Sequence, residues 1–287
     1  MKKKTGIILA AAAAVLALLW LRPWSQSVRL PLDSSATLVV SDGQSVTWKL
    51  IYTSEDMRAL RRAVSNAKAA SVEGWTVPED PWPAYGLTVH GTMSDFEAVF
   101  LDGVWVDNEG RTLKMDLDFE ELWESLPGDE HTRQGISTLP CRRELALQSG
   151  QWDPRFLVES TTAPIEDVAM ELELRDLSWT VTNEGEYELE HGNGGGAGLQ
   201  VCLDGRWYGV PMVTGNHYAV TAEAYMLRPG KSYSSTLFLE GYGELPAGEY
   251  RLAFGFDRPI GTNYGFAADE FWILEDGTLT REGPVNG

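Results

Sequence analysis

The sequence predicts a mixed chain: an N-terminal transmembrane or signal helix, an α+β domain on an antiparallel sheet, then an all-β sandwich. Three observations predict it. An uncharged apolar run at 5–21 follows Lys2, Lys3 and Lys4. Between 28 and 130, apolar residues recur twice at helical spacing, among runs that alternate at strand spacing. Beyond 155 the helical spacing disappears, and short alternating runs are separated by Gly, Pro and Asn turns. The expected boundaries are 1–27 for the leading segment, 28–130 for the α+β domain, 131–154 for a linker and 155–287 for the sandwich.

The leading segment has the layout of an export signal, a basic start followed by an apolar run. As a helix the run reaches about 25 Å, short but sufficient for an untilted span. Three lysines before it against Arg22 after it put the N-terminus in the cytoplasm and the remainder outside. Trp20 and Trp24 resemble interfacial anchors, whereas Ser25 and Ser27 offer only a weak cleavage site. The expected location is therefore the cell membrane, with that membrane as a partner through the helix, or secretion if the segment is cleaved.

Within 28–130, Val39 and Val40 end at a Ser-Asp-Gly turn, and Val46, Trp48, Leu50 and Tyr52 then alternate with Thr47, Lys49 and Ile51 as a half-buried strand. Thr53 or Ser54 caps a helix whose apolar face is Met57, Leu60, Val64 and Ala67. Arg58, Arg61, Arg62 and Lys68 lie on its other side, the one basic face of an acidic protein. Such a face is ordinarily solvated, and otherwise docks an acidic partner. Pro78, Pro81 and Pro83 interleave with Trp75 and Trp82 in the loop that follows. With Tyr85, these tryptophans are the candidate ligand-stacking residues, unless they fold back over a small core. Asp102-Gly103 reads as a two-residue hairpin turn. Asp118 with Glu121 caps a second helix carrying Phe119, Leu122, Trp123 and Leu126.

From 155, runs such as Val168, Met170, Leu172 and Leu174, or Tyr250, Leu252, Phe254 and Phe256, make seven or so strands with one apolar face, hence a sandwich. Thr182-Asn183, Asp204-Gly205-Arg206-Trp207-Tyr208-x-Val210-Pro211, Leu227-x-Pro229-Gly230 and the run 242–251, ending Leu245-Pro246-Ala247-Gly248-Glu249-Tyr250-Arg251, occur in this order. Together they resemble a bacterial immunoglobulin-like domain of exported proteins from Gram-positive-type bacteria, over about residues 155–275. The resemblance implies a sandwich without a catalytic centre, used as a spacer or adhesion-type module. In the last motif, a sharp turn feeds a strand whose tyrosine can bond back across the corner. The run at 192–198 is longer and richer in glycine than such a loop requires.

Composition narrows the function. With 43% hydrophobic and 10% aromatic residues, the chain can build real cores. A formal charge of −19, from 42 acidic against 23 basic side chains, excludes nucleic acid as a partner. Two cysteines and four histidines leave little for a zinc site, and no cofactor, metal or catalytic residue is expected. Cys141 and Cys202 read as unrelated thiols, a disulfide being the alternative. Gly230-Lys231-Ser232 lacks the earlier glycine of a phosphate loop, since Tyr225 stands there. His90, His131, His191 and His217 show no carboxylate or cysteine at ligand spacing. Asp116, Asp118, Glu120 and Glu121 lack the glycine of a calcium loop and read as charges opening a helix. The expectation is a non-enzymatic extracytoplasmic surface protein, a binding or interaction module. The alternatives are a glycan-binding accessory module using Trp75, Trp82 and Tyr85, and a sensor or regulator subunit of an envelope complex using Arg58, Arg61 and Arg62. The partner would be a protein or cell-wall glycan.

Overall fold

A computed structural model of the 287-residue chain describes residues 28–32, 35–91, 95–148, 150–192, 197–213, 224–256 and 265–284. The chain divides into two compact units at about Thr132, with residues 43–46 grouped with the second.

The first unit comprises β1 (Ser35–Ser41), β2 (Ser45–Ile51), α1 (Ser54–Asn66), β3 (Ala69–Ser71), β4 (Ala84–His90), β5 (Phe96–Leu101), β6 (Val104–Asp107), β7 (Thr112–Met115), α2 (Phe119–Ser125) and β8 (His131–Gln134). The strands form one sheet in the order β3-β7-β6-β5-β4-β1-β2-β8. Hairpins generate most of this order. Asp102 (φ 45°) and Gly103 (φ 75°) both take left-handed backbone, the requirement of a tight turn matching strand twist, and join β5 to β6. Thr53 accepts the Asp56 N–H at the start of α1, and Met57, Leu60 and Val64 are buried on the sheet. Asp118 accepts the Glu121 N–H at the start of α2, which buries Phe119, Leu122 and Trp123. Each cap satisfies a backbone donor that has no partner within its helix, worth about 1 kcal/mol.

Strand β2 departs from strict alternation. Val46, Lys49 and Ile51 are buried, whereas Leu50 is 46% and Tyr52 69% exposed. Lys49 turns inward because its ammonium meets the C-terminal end of α2. Nζ donates to Trp123 O (2.6 Å) and Leu126 O (3.1 Å), and lies 4.2 Å from the Trp123 ring centroid. A cation is favoured there, where carbonyls have no intrahelical donor.

The second unit comprises α3 (Arg142–Ala146), β9 (Leu147–Gln148), β10 (Gln151–Trp152), β11 (Val158–Glu159), β12 (Val168–Glu173), β13 (Ser178–Asn183), β14 (Leu189–Gly192), β15 (Ala197–Leu203), β16 (Arg206–Gly209), β17 (Ala224–Leu227), β18 (Ser232–Thr236), β19 (Gly248–Phe256), β20 (Gly265–Ile273) and β21 (Leu279–Thr280). A six-stranded sheet, β11-β16-β15-β19-β20-β21, faces a three-stranded one, β12-β13-β18, while β14 pairs with β17. Trp179 of β13 lies 4.9 Å from Phe254 of β19, ring centroid to centroid, and both are buried. Asp204 (φ 51°) and Gly205 (φ 74°) make the turn between β15 and β16. The stretch expected as a linker buries Leu139, Cys141, Leu145, Ala146 and Trp152. Cys141 and Cys202 are not joined in a disulfide.

The expected fold class needs correction. The described residues are mostly antiparallel β, with three α-helices, and none of their helices is long and apolar enough to cross a membrane. The longest, α1, has 13 residues and carries Glu55, Asp56, Arg58, Arg61 and Arg62. It spans about 20 Å, against the roughly 30 Å of a bilayer core. The N-terminal helix expected at 5–21 lies outside the described residues.

Candidate functional site

Strands β4, β5 and β7 end near one another, where the β5–β6 turn meets the entry to α2. There the first unit opens a groove of about 490 Å3. Its floor is aromatic. Tyr85, the second residue of β4, lies directly across from Phe100 of β5, and Phe119 of α2 stacks on both, at 5.6 and 5.5 Å. Phe100, Phe119 and neighbouring Met115 are buried, and Tyr85 is half-buried. Four exposed acidic residues, Asp102, Asp116, Asp118 and Glu120, line the same groove. No lysine or arginine lines it, and no basic side chain forms an ion pair with these four among the described residues. Asp118 is occupied as the cap of α2, and Asp116 accepts the Lys68 N–H. Burial, and then the carboxylates of Glu120, Asp118 and Glu124, push the Tyr85 hydroxyl up. The phenol therefore stays neutral, in a field that disfavours any further negative charge. Among the described residues, no group of three or more His, Cys, Asp or Glu could hold a metal ion.

Of the candidate ligand- and partner-binding residues, Tyr85 alone lines this groove. Trp75 and Trp82 are half-buried in the loop between β3 and β4, and the Trp82 N–H donates to Asp80 Oδ1 at 3.4 Å. Arg58 is exposed and donates to Ser54 O (2.9 Å). Arg61 is half-buried and donates to Pro31 O (3.0 Å). Arg62 is exposed on the same helix. The sequence reading saw Asp102 only as a turn residue and Phe119 only as part of a helix face, and it did not single out Phe100. It saw Asp116, Asp118 and Glu120 as charges opening a helix, and that cluster beside a phenylalanine was the available signal.

The histidine reading also needs correction, because His90 does have a carboxylate. Its Nδ1 lies 3.2 Å from Asp95 Oδ2, and its Nε2 lies 2.8 Å from Thr37 Oγ1. Asp95 Oδ1 also accepts the Gly91 N–H. Ser35 pairs with His90, so Thr37, two residues on, shares its face of the sheet, and the pairing of β5 with β4 places Asp95, just before β5, beside the ring. This hydroxyl–imidazole–carboxylate chain clamps β1 to Asp95, away from the groove. His191 is buried in the second unit, with its ring 4.7 Å from that of Tyr233 and 5.3 Å from that of Phe254. His131 is exposed beside Trp48, and His217 lies outside the described residues.

In the second unit, the polar groups serve the sandwich. The Tyr250 hydroxyl donates to Pro246 O and accepts from Trp152 Nε1, both at 2.8 Å. Asn183 donates to Tyr187 O and Leu227 O and accepts the Gly185 N–H. The Arg251 guanidinium lies 4.3 Å from the Trp207 ring and 4.5 Å from the Phe266 ring. Gly230 (φ 70°) sits in the tight turn before β18, so Gly-Lys-Ser here is turn chemistry.

No curated protein and no solved structure matches the chain. A family model does match, over residues 160–270, and it is described as a bacterial Ig-like domain. The match falls on the paired sheets of the second unit and leaves the first unit outside it. Residues 160–270 of this chain are a bacterial Ig-like domain.

Proposed function

We propose that the protein is a non-enzymatic interaction module that works outside the cytoplasm and binds its partner through the groove of the first unit. One observation carries the reading: a groove of about 490 Å3 has an aromatic floor and exposed polar groups at its mouth. That is the size and lining of a binding site. Ig-like domains are typically non-catalytic, which supports a scaffold role for the second unit. The basic start and apolar run before residue 28 support export.

A photo-crosslinking amino acid at Asp102, on the exposed β5–β6 turn, tests this reading in cells making the protein. The expected result is one crosslinked partner, absent when the crosslinker stands instead at exposed Glu171. Turnover of cell-wall glycan or peptide by the purified protein overturns the reading. So does the absence of any crosslink at Asp102.

A further inference from the structure

We infer that the groove takes a lysine- or arginine-bearing segment of a partner protein. The inference rests on the groove being the binding site. It adds the chemistry of the ligand.

Two features of the groove point to a cationic side chain. The first is charge. Asp102, Asp116, Asp118 and Glu120 converge on one groove without an ion-pair partner among the described residues. A cation entering the groove is attracted by all four, whereas an anion is repelled by all four. The second is the floor. Beneath the acidic mouth, half-buried Tyr85 presents its ring, backed by the buried rings of Phe100 and Phe119. Lysine and arginine lay an apolar stem along such a surface while the charged head stays at the rim, and the ring face attracts the cation. An anionic ligand meets four like charges here. A neutral sugar can stack on the ring and donate hydroxyls to the carboxylates, but it brings no opposing charge. The volume admits one or two side chains of an extended segment, with its backbone passing over the open mouth.

The test uses the full chain and a fluorescein-labelled Gly-Lys-Gly-Lys-Gly-Lys peptide, with a Gly-Ser-Gly-Ser-Gly-Ser peptide as the neutral comparison. Anisotropy is read at low salt, about 50 mM, where screening is weak. The groove variant is D102N/D116N/D118N/E120Q. Each amide keeps the shape and acceptor oxygen of its carboxylate. Asparagine caps a helix as aspartate does and tolerates left-handed backbone, so α2 and the β5–β6 turn are retained. The control variant, E171Q/E173Q/E184Q/E186Q, removes the same formal charge from exposed positions of the second unit.

The expected result is binding of the lysine peptide alone, weakened about tenfold or more in the groove variant and less than about twofold in the control. Tyr85→Leu also weakens binding, because it removes the aromatic face and keeps an apolar side chain. Equal weakening by the two charge variants overturns the inference, since it means attraction to net charge. Absence of peptide binding overturns it, as does retention of neutral cell-wall glycan that the groove variant loses. If the Asp102 crosslink still captures a partner in any of these cases, the groove remains the site and only the cationic ligand is refuted. If the crosslink fails as well, both readings fall.

Discussion

Replacing Tyr250 with phenylalanine removes one oxygen from a fully buried ring. That oxygen donates to Pro246 O and accepts from the Trp152 indole N–H, each at 2.8 Å. The donated bond contributes about 1 kcal/mol net, and an indole N–H left buried without an acceptor costs about 1–3 kcal/mol. The expected loss at neutral pH is therefore about 2–3 kcal/mol, a large part of a domain's stability. For a unit of this size, it lowers Tm by roughly 5–10 °C. Alkaline pH supplies a second readout. Burial pushes the Tyr250 hydroxyl from 10.0 up to about 12, with the Trp152 hydrogen bond acting weakly the other way. The folded chain thus keeps a proton that the unfolded chain releases between pH 10 and 12. Stability from this group is complete below pH 10 and is lost as pH rises through about 12. A shift of that size amounts to about 2–3 kcal/mol. Tyr250→Phe has no such group, so the gap between parent and variant is full at pH 8 to 9 and closes by about pH 12. Urea unfolding followed by far-ultraviolet circular dichroism across this range measures both effects. A neutral-pH loss under about 0.5 kcal/mol, or a gap that stays constant to pH 12, refutes the reasoning.

Lys49→Met strips Trp123 O and Leu126 O of their shared donor and is expected to cost about 2 kcal/mol in urea unfolding of the first unit. Asn183→Ala removes three hydrogen bonds from a buried side chain and is expected to cost about 2–4 kcal/mol, with faster amide exchange at Gly185. Arg251→Met breaks the stack between Trp207 and Phe266 and its bond to Gln200 Oε1, for an expected loss of about 1–2 kcal/mol. Arg251→Lys recovers little of this, because an ammonium lacks the flat guanidinium face. Thermal unfolding of the two Arg251 variants side by side checks that order.

What the sequence made legible was local. Tight turns at Asp102-Gly103 and Asp204-Gly205 need left-handed backbone at both residues, and that need is written in the residue pair itself. Thr53 and Asp118 were readable as caps because a cap acts within one helical turn. The corner at 246–250 was readable too, since Tyr250 reaches back only four residues to Pro246. Long-range partners were hidden. Trp152 meets Tyr250 across 98 positions, so a balanced-charge stretch that looks like a linker is built into the second unit. Lys49 reads as an outward residue of β2 until the end of α2, more than seventy positions later, supplies its carbonyls. The same holds for His90. Its carboxylate is only five residues away, but spacing alone does not say that strand pairing brings Asp95 back.

The groove was hidden for a related reason, and its composition says why it matters. Tyr85, Phe100 and Phe119 become neighbours only because β4 pairs with β5 in one register and α2 follows β7 on the same side. A sequence reader sees acidic residues opening a helix and has explained them, since that position favours negative charge. Folding accounts for part of the set: Asp118 caps α2, and Asp116 holds the Lys68 N–H. It gives Glu120 a favoured place in the first turn of α2 but does not account for Asp102, and neither makes a side-chain hydrogen bond or ion pair among the described residues. Both face the same groove as the first two. Asp102 adds negative charge to a protein already at a formal −19 and makes no fold contact in return, so it brings nothing to the stability of the free protein. D102N therefore separates the two roles: it leaves the cap, the Lys68 contact and the acidic first turn of α2 intact. The expected outcome is a melting temperature equal to or above that of the parent, together with weaker binding of the lysine peptide. A lower melting temperature would mean that this carboxylate serves the fold, and that the groove's charge has no need of a partner.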